Sequence, residues 1–279
     1  MTETTRFAPS PTGLLHLGNA YAALFAARAA GPGGRFLLRF EDIDRTRCRP
    51  QFESGILEEL RWLGLTWEEP VWRQSEHLAA HAAALERLKT EGLLYPCFCT
   101  RAEIAAEIAR IASAPQGPQG PLYPGTCRRL DPALAAERLA QGDDHAWRLD
   151  VAEAERRAGP LAWVERGRGP QPAAAHRLGD VVLGRKEIAT SYHLAVTLDD
   201  AAQAITLVTR GEDLFEATHL HRLLQALLGL PVPEWQHHRL LTNAAGKRLA
   251  KRDRDFALAH YRAEGATPAA VRALAGFPD

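Results

Sequence analysis

Hydrophobic positions in the first hundred residues follow two alternating spacings. Residues 4–8 and 35–40 are each predicted to form a short strand. Each strand is followed by a segment with helical spacing, and the first helix is predicted over 14–30, where the Gly/Pro run at 31–34 ends it. Strands that alternate with helices through short connections predict right-handed βαβ units and a parallel sheet.

The helical spacing recurs twice before the pattern changes. Ile56, Leu60 and Leu63 fall on one face of a predicted helix, and a further helix is predicted over 78–94. The segment 97–175 has no strong period and contains a loop rich in Gly and Pro. We therefore interpret this segment as an insertion.

The α/β pattern returns after the insertion. Apolar strands are predicted at 180–183 and 204–208, and a leucine-rich helix follows over 220–228. We therefore predict an α/β fold with a parallel-sheet core built from 1–96 and 176–230. The last segment, 231–279, is basic at its start and helical at its end.

Composition narrows the class of protein. The 279 residues carry 34 Lys and Arg against 34 Asp and Glu, so the net charge gives no sign of a nucleic-acid partner. No run reaches the ~18 apolar residues of a membrane span, and the polar first residues are unlike a secretory signal. Four Cys are too few for a disulfide framework, so we expect a cytoplasmic protein that binds no membrane.

The loop before the first helix has the chemistry of a phosphate site. Pro9, Pro11 and Gly13 make it stiff, and the free N–H groups at the start of the helix attract anions. Gly18 leaves room for a flat base, and His16 could donate a hydrogen bond to phosphate oxygens. Taken alone, one of eleven His is more often a residue of a core helix than a ligand.

The segment from Ala8 to Asn19 resembles the HIGH signature of the class I aminoacyl-tRNA synthetases, in the form found in the glutamyl and glutaminyl enzymes. The segment 248–252 resembles the KMSKS loop of the same class. Asn19 replaces the second His, and Arg248 and Ala250 replace a Lys and a Ser, whereas Lys251 is retained. The resemblance implies a Rossmann-type catalytic core in which His16 and Lys251 are catalytic. It also implies that Mg-ATP, as a substrate, is bound by Pro9, Thr12, Gly13, His16, Gly18, Asn19 and Lys251.

Charged residues near the ends of predicted strands suggest an amino-acid site. Arg6 and Arg210 could each grip a carboxylate with two parallel hydrogen bonds, and Glu41 could pair with an ammonium group. Such residues form surface ion pairs at least as often as a binding site. The resemblance implies that glutamate is held by Arg6, Ala8, Ser10, Glu41, Tyr192 and Arg210.

Three cysteines cluster at the start and in the middle of the insertion. Cys97, Cys99 and Cys127 could supply three of the four ligands of a structural zinc ion, with Tyr123 or His145 as the fourth. The alternative is that these cysteines are small buried hydrophobic residues. The resemblance implies a Cys-x-Cys…Tyr-x3-Cys zinc site, which selects Tyr123. Cys48 belongs to no cluster.

The length after the KMSKS-like segment bears on the acceptor. The segment 252–279 is too short for an independent anticodon-binding domain, so we expect none. The chain therefore resembles the catalytic core alone, as in the glutamyl-queuosine tRNA(Asp) synthetases. This resemblance implies activation of glutamate to glutamyl-adenylate and its transfer to the queuosine base in the anticodon of tRNA(Asp), with release of AMP and pyrophosphate. We expect a monomer, with a local phosphate track formed by Arg45, Arg47, Arg49, Arg128, Arg129 and the basic loop at 247–254.

Two other interpretations stay open at this point. One is an enzyme that makes glutamyl-adenylate for a different acceptor. The other is a catalytically inactive RNA-binding paralogue, which the departures at Asn19, Arg248 and Ala250 favour. The retained Lys251 argues against an inactive paralogue, as do the buried charges at the expected glutamate site, which are costly when they have no partner.

Overall fold

The computed structural model describes most of the chain, namely residues 2–111, 116–118, 120–185, 190–242 and 257–278. The KMSKS-like segment, with Lys251, Arg248 and Ala250, lies outside the described residues. The whole basic loop at 247–254 likewise lies outside them. No helix among the described residues is both long and apolar enough to cross a membrane.

Twelve strands and ten α-helices are found in the described residues. The strands are β1 Thr4–Phe7, β2 Arg35–Phe40, β3 Glu68–Arg73, β4 Leu94–Cys97, β5 Gln116–Gly117, β6 Gly120–Pro121, β7 Ala146–Leu149, β8 Ala162–Glu165, β9 Gly169–Pro172, β10 Val182–Arg185, β11 Leu207–Gly211 and β12 Glu234–His238. The helices are α1 Leu17–Ala30, α2 Pro50–Trp62, α3 Leu78–Thr90, α4 Arg101–Arg110, α5 Pro132–Ala140, α6 Val151–Ala158, α7 Tyr192–Ala202, α8 Ala217–Leu228, α9 Leu258–Ala263 and α10 Pro268–Leu274.

Parallel pairing dominates two adjacent sheets. The first has the order β1-β2-β3 and is parallel throughout. The second has the order β11-β12-β8-β9, in which the first three strands are parallel and β9 returns antiparallel to β8. The N–H of Thr206 donates to the carbonyl of Thr4 at 3.0 Å, which places the two sheets edge to edge. The predicted α/β fold with a parallel sheet is confirmed.

A third, antiparallel sheet has the order β10-β7-β4. The strand expected at 180–183 is present as β10, but it pairs antiparallel with β7 and does not extend the parallel sheet. Conversely, β8 and β9 lie within the segment interpreted as an insertion, yet they join the second parallel sheet. Single-strand apolarity does not specify a pairing partner, and for this reason the sequence pattern misplaced these strands.

Two helix ends also differ from the predictions, and backbone geometry explains both. The first helix begins at Leu17 and not at 14, because His16 has an extended backbone and serves as its N-cap. The third ends at Thr90 and not at 94, since the chain turns at Gly92, whose φ of 70° suits glycine.

Small side chains let α1 lie close to the parallel sheet. Ala20, Ala23 and Ala26 of this helix are buried, and the hydroxyl of Thr5 in β1 donates to the carbonyl of Ala26 at 2.8 Å. A second core forms where buried leucines of α8 meet leucines of α3 and β7. Both cores lie behind the carboxyl ends of the strands, which leaves those ends open for a ligand.

Glu59 in α2 hydrogen-bonds the loop before α1 at Leu15, a residue that also contacts α9. This side chain is only 3% exposed, and its Oε2 accepts a hydrogen bond from the N–H of Leu15 at 3.2 Å. The carbonyl of Leu15 accepts in turn from the N–H of Leu258 in α9 at 2.9 Å. Burial raises the pKa of Glu59 to about 7. The backbone next to His16 is therefore held from both sides.

We expect Glu59 to make stability depend on pH. Between about pH 4.5 and 7 the folded chain keeps a proton on Glu59 that the unfolded chain has released, so the free energy of unfolding falls as the pH rises. The Glu59→Gln variant lacks this loss and keeps an acceptor for Leu15. Relative to the wild type, the variant should gain up to about 3 kcal/mol across this window, measured by urea unfolding at a series of pH values.

The neighbouring Glu58 provides the matched control. Glu58 is exposed and pairs with Arg262 at 2.9 Å, and the Glu58→Gln variant still carries the buried carboxyl group of Glu59, so its free energy of unfolding should still fall as the pH rises through the window. A pH-independent difference between Glu59→Gln and the wild type would contradict the assignment.

Candidate active site

The predicted ATP residues lie in the loop between β1 and α1 and in the first turn of that helix. The N–H of His16 donates to Oδ1 of Asn19 at 3.1 Å, so the residue that replaces the second His of the signature caps the helix. The backbone N–H groups of the first turn point out of this end of α1. The positive end of α1 therefore lies at this loop, where it would stabilise a bound anion.

Gly18 has a close neighbour that the sequence did not indicate. A Cβ at this position would lie 2.9 Å from Cε1 and 3.0 Å from Nδ1 of His16. The absence of a side chain at Gly18 thus makes room for the imidazole of His16, whereas the sequence analysis reserved that room for a flat base. Any larger residue here would displace the His16 ring.

A cavity of about 690 Å³ opens beside this loop. Its wall includes residues from all three predicted sites, namely Ser10, Thr12, Glu41, Tyr123 and Tyr192. Arg6 and Arg210 are buried next to the wall, because Arg210 hydrogen-bonds Tyr192 and Arg6 donates to the carbonyl of Thr209 at 3.0 Å. The structure therefore brings some residues of each predicted site to one cavity, whereas His16, Gly18 and the three cysteines do not line it.

A buried carboxylate that the sequence analysis did not identify holds Arg6. Oδ1 of Asp200, in α7, accepts from Nε of Arg6 at 2.8 Å and from Nη1 of Arg39 at 2.8 Å. Arg39 is fully buried, and its Nη2 lies 3.6 Å from Oε1 of Glu41. Asp200 thus supplies one negative charge to two guanidinium groups. Helix α7 ends just after this residue, where Ala204 adopts a positive φ of 51°.

The surroundings of Arg210 are chemically different from those of Arg6. Its Nε donates to Nε2 of His237 at 3.1 Å, its Nη1 bonds Nδ1 of His221 at 3.1 Å, and its Nη2 donates to Oγ1 of Thr218 at 2.6 Å. Among the described residues, no carboxylate oxygen forms a salt bridge with this guanidinium. Arg210 is 7% exposed, so it is a buried cation whose immediate partners are all neutral.

Histidines near Arg210 are kept neutral by their environment. Burial and the Arg210 cation lower the pKa of His193 to about 4 and that of His237 to about 2, and they lower the pKa of His221 as well. Nδ1 of His193 bonds Nε2 of His221 at 3.1 Å, and His193 lines the cavity. A chain of neutral imidazoles therefore runs from Arg210 to the cavity wall.

The three clustered cysteines come together as the spacing predicted. The sulfur atoms of Cys97, Cys99 and Cys127 all lie within 4.8 Å of one another. The Tyr123 hydroxyl lies 3.3 Å from the sulfur of Cys97 and 3.7 Å from that of Cys99. His145 instead directs Nδ1 at the carbonyl of Asp143, 2.9 Å away. The donor set of three sulfurs and one phenol oxygen is suited to a soft divalent metal.

The pKa values of this cluster imply that thiol and phenol protons are released when a metal ion binds. Burial raises the pKa of Cys99 to about 12 and also raises the pKa of Tyr123. Burial opposes ionisation of Cys97 too, but hydrogen bonds from Tyr123 and Arg148 outweigh it and lower the pKa of that thiol. The lowered pKa of Cys97 makes this thiol easier to ionise than that of Cys99.

The described arginines of the predicted phosphate track, at 45, 47, 49, 128 and 129, are exposed, and Arg47 lines the cavity. Arg47 pairs with Asp44 at 2.6 Å, and Arg128 pairs with Asp180 at 3.1 Å. Two of the expected track residues thus already have carboxylate partners. A polyanion that bound here would compete with these ion pairs.

Known proteins similar to this chain belong to the family that its HIGH-like segment resembles. A family model described as tRNA synthetases class I (E and Q), catalytic domain, matches residues 3–276. The chain is 54% identical to the glutamyl-Q tRNA(Asp) synthetase of Rhodobacter capsulatus, over 98% of the chain and 99% of that relative. It is 44% identical to the protein of the same name from Symbiobacterium thermophilum, over 95% of the chain and 83% of that relative.

A solved structure shows the same fold. The glutamate tRNA ligase from Elizabethkingia meningosepticum, solved in complex with its amino acid, superimposes with a TM-score of 0.74 at 30% identity. The match covers 91% of this chain but only 53% of the ligase, so the chain spans about half the length of that structure. The family resemblance inferred from the HIGH-like segment is confirmed: the chain belongs to the class I tRNA synthetases of the E and Q group, a family of ligases.

Proposed function

We propose that this chain activates L-glutamate with Mg-ATP to give glutamyl-adenylate. The observation that carries the proposal is the buried Arg210 cation, whose hydrogen-bond partners in the described part of the chain are neutral. A buried guanidinium is stable only with an anionic partner or very good hydrogen bonds, and a substrate carboxylate next to Tyr192 would supply the missing charge. A neutral glutamine amide would leave the cation uncompensated.

The rest of the cavity wall suits the other groups of glutamate. Glu41 lines the cavity, and burial raises the pKa of its carboxyl group, so an incoming ammonium would stabilise its charged form. Arg6 keeps further N–H donors beyond those used by Asp200 and Thr209. With Ala8 and Ser10 in the adjoining loop, these residues form the proposed glutamate site.

Activation follows from the placement of this site beside the phosphate loop. The α-carboxylate attacks the α-phosphate of ATP in line, and pyrophosphate leaves. The start of α1, His16 and the loop residues Pro9, Thr12, Gly13, Gly18 and Asn19 bind the nucleotide and stabilise charge as the bond breaks. Lys251, outside the described residues, is proposed to neutralise the leaving pyrophosphate.

The acceptor is proposed to be the queuosine base of the tRNA(Asp) anticodon. The names of the Rhodobacter and Symbiobacterium relatives support this assignment. Each of the two matches covers most of the relative's length. A hydroxyl of the queuosine cyclopentenediol attacks the activated carbonyl of glutamyl-adenylate, and AMP leaves. The exposed arginines at 45–49 and 128–129 are proposed to bind tRNA phosphates on two sides of the cavity.

Structural zinc is proposed at Cys97, Cys99, Tyr123 and Cys127. Such an ion would join β4 to the turn at 127–129 and so stabilise the cavity wall to which Tyr123 belongs.

We further propose a monomer that works in the cytoplasm, with the core at 1–96 and 176–230, the insertion at 97–175 and the terminal segment at 231–279. The four cysteines of the chain are all free thiols, as a reducing compartment requires.

We expect glutamate transfer to depend on the modified base. The chain should attach labelled glutamate to tRNA from cells that contain queuosine and should attach none to tRNA from cells that lack it. Removal of the terminal adenosine from the modified tRNA should leave the incorporation unchanged, because the proposed acceptor lies in the anticodon. Scintillation counting of precipitated tRNA measures the product.

Two outcomes would contradict the queuosine assignment. Equal labelling of both tRNA pools, abolished by removal of the terminal adenosine, would show ordinary charging. No labelling, with glutamate-dependent ATP–pyrophosphate exchange intact, would show a glutamate-activating enzyme with another acceptor.

We expect one zinc per chain, with Tyr123 and not His145 as the fourth ligand. Tyr123→Phe removes only the ligand oxygen and should weaken zinc retention at least about 10-fold against a chelator, whereas His145→Gln should retain the metal. Cys127→Ala should lose zinc, and Cys48→Ala serves as the matched cysteine control. Metal content by plasma emission spectroscopy gives the answer, and loss of zinc from His145→Gln would overturn the assignment.

A further inference from the structure

Glu165 and His237 connect to Arg210 in a short buried chain of hydrogen bonds. Nδ1 of His237 lies 2.8 Å from Oε2 of Glu165, and the backbone N–H of His237 donates to Oε1 of the same carboxylate at 2.8 Å. Nε2 of His237 receives Nε–H of Arg210 at 3.1 Å. The side chains of Glu165 and His237 are 2% and 1% exposed, so water does not substitute for these bonds.

Chemistry fixes the tautomer of His237. Nε of Arg210 carries one hydrogen and can only donate, so Nε2 of His237 must accept. The remaining ring hydrogen then lies on Nδ1 and is donated to Glu165. Both hydrogen bonds from His237 to Glu165 therefore end on carboxylate oxygens, which accept and never donate when ionised.

Strand pairing places the carboxylate at this point. Trp235 of β12 is in register with Glu165, the last residue of β8, and the N–H of Arg166 donates to the carbonyl of Trp235 at 2.7 Å. The carboxylate thus comes from the segment that the sequence analysis assigned to the insertion. Glu165 is connected to Arg210 by two successive hydrogen bonds through His237, and it does not line the cavity.

We propose that Glu165 is a positioning residue for amino-acid binding, acting on Arg210 through His237. Its carboxylate holds His237 in the tautomer that accepts from Arg210, and this aims the guanidinium at the substrate carboxylate. The inference rests on the proposed role of Arg210 in binding glutamate. It adds a requirement for a residue that makes no contact with substrate.

Glu165→Gln tests the tautomer directly because the two side chains have the same shape. A glutamine can present one oxygen and one NH2 group to His237, so one of the two bonds must fail. If the NH2 group faces Nδ1, that nitrogen becomes an acceptor and the ring hydrogen moves to Nε2, where it opposes Nε–H of Arg210. If the amide is reversed, its NH2 group opposes the backbone N–H of His237.

The experiment is glutamate-dependent ATP–pyrophosphate exchange with the whole chain. We expect Glu165→Gln to raise KM for glutamate about 10-fold or more, while KM for ATP changes less than about 2-fold. Glu234→Gln is the matched control, because Glu234 lies on β12 and pairs with Arg166 at 2.7 Å, away from Arg210. This control should leave both KM values unchanged.

Two further measurements keep the outcome decisive. ¹⁵N NMR of the histidine rings should show the Nδ1–H form of His237 in the wild type and its loss in Glu165→Gln, independently of activity. In the His237→Gln background, Glu165→Gln should raise KM for glutamate by less than about 2-fold further, because the route from Glu165 to Arg210 is already broken.

The outcomes separate this inference from the proposed function. An active wild type whose KM for glutamate is the same in folded Glu165→Gln would overturn the role of Glu165 and leave glutamate activation in place. Equal rises in KM for glutamate and for ATP, or additive effects with His237→Gln, would also overturn it. Absence of glutamate-dependent exchange in the wild type would instead contradict the proposed function, while the NMR result would still report the tautomer.

Discussion

A buried guanidinium group needs a compensating charge, and this constraint organises the centre of the molecule. Three arginines, Arg6, Arg39 and Arg210, are buried around the cavity. Asp200 forms salt bridges of 2.8 Å to two of them, whereas the hydrogen-bond partners of Arg210 among the described residues are neutral. A charge left without a direct counter-ion is costly in a protein that lacks its ligand. Under the proposed function a substrate carboxylate offsets this cost, so the same feature that weakens the free protein would give the site its selectivity for an acid.

The metal cluster and the substrate cavity share a wall. Tyr123 lines the cavity and also lies 3.3 Å from the sulfur of Cys97, while the guanidinium of Arg148 stacks over its ring at 3.9 Å. Arg148 donates to the carbonyl of Asp180 as well, and Asp180 holds Arg128 at the rim. A metal ion at the cysteines would therefore stabilise this shared wall and the rim that faces the proposed tRNA.

Local sequence patterns predicted the features that depend on residues close together in the chain. They predicted little of what depends on the pairing of strands or side chains that are far apart in the chain. Apolar periodicity identified β2 and α8, and the cysteine spacing correctly predicted that three sulfurs lie together. The pattern could not show that β10 pairs antiparallel or that β8 joins the second parallel sheet. Nor did it find Asp200 or Glu165, because a buried carboxylate looks like a surface one until its partners are known. The one sequence signal was the Asp199–Asp200 pair at the end of an apolar helix.

The central claim is that the uncompensated charge of Arg210 selects a substrate with a side-chain carboxylate. The most direct measurement compares ATP–pyrophosphate exchange with glutamate and with glutamine, which have the same shape and differ in that charge. The account predicts kcat/KM for glutamate at least about 1,000-fold above that for glutamine, since the amide would leave a buried cation without its counter-ion. Exchange at similar rates with both amino acids would contradict it.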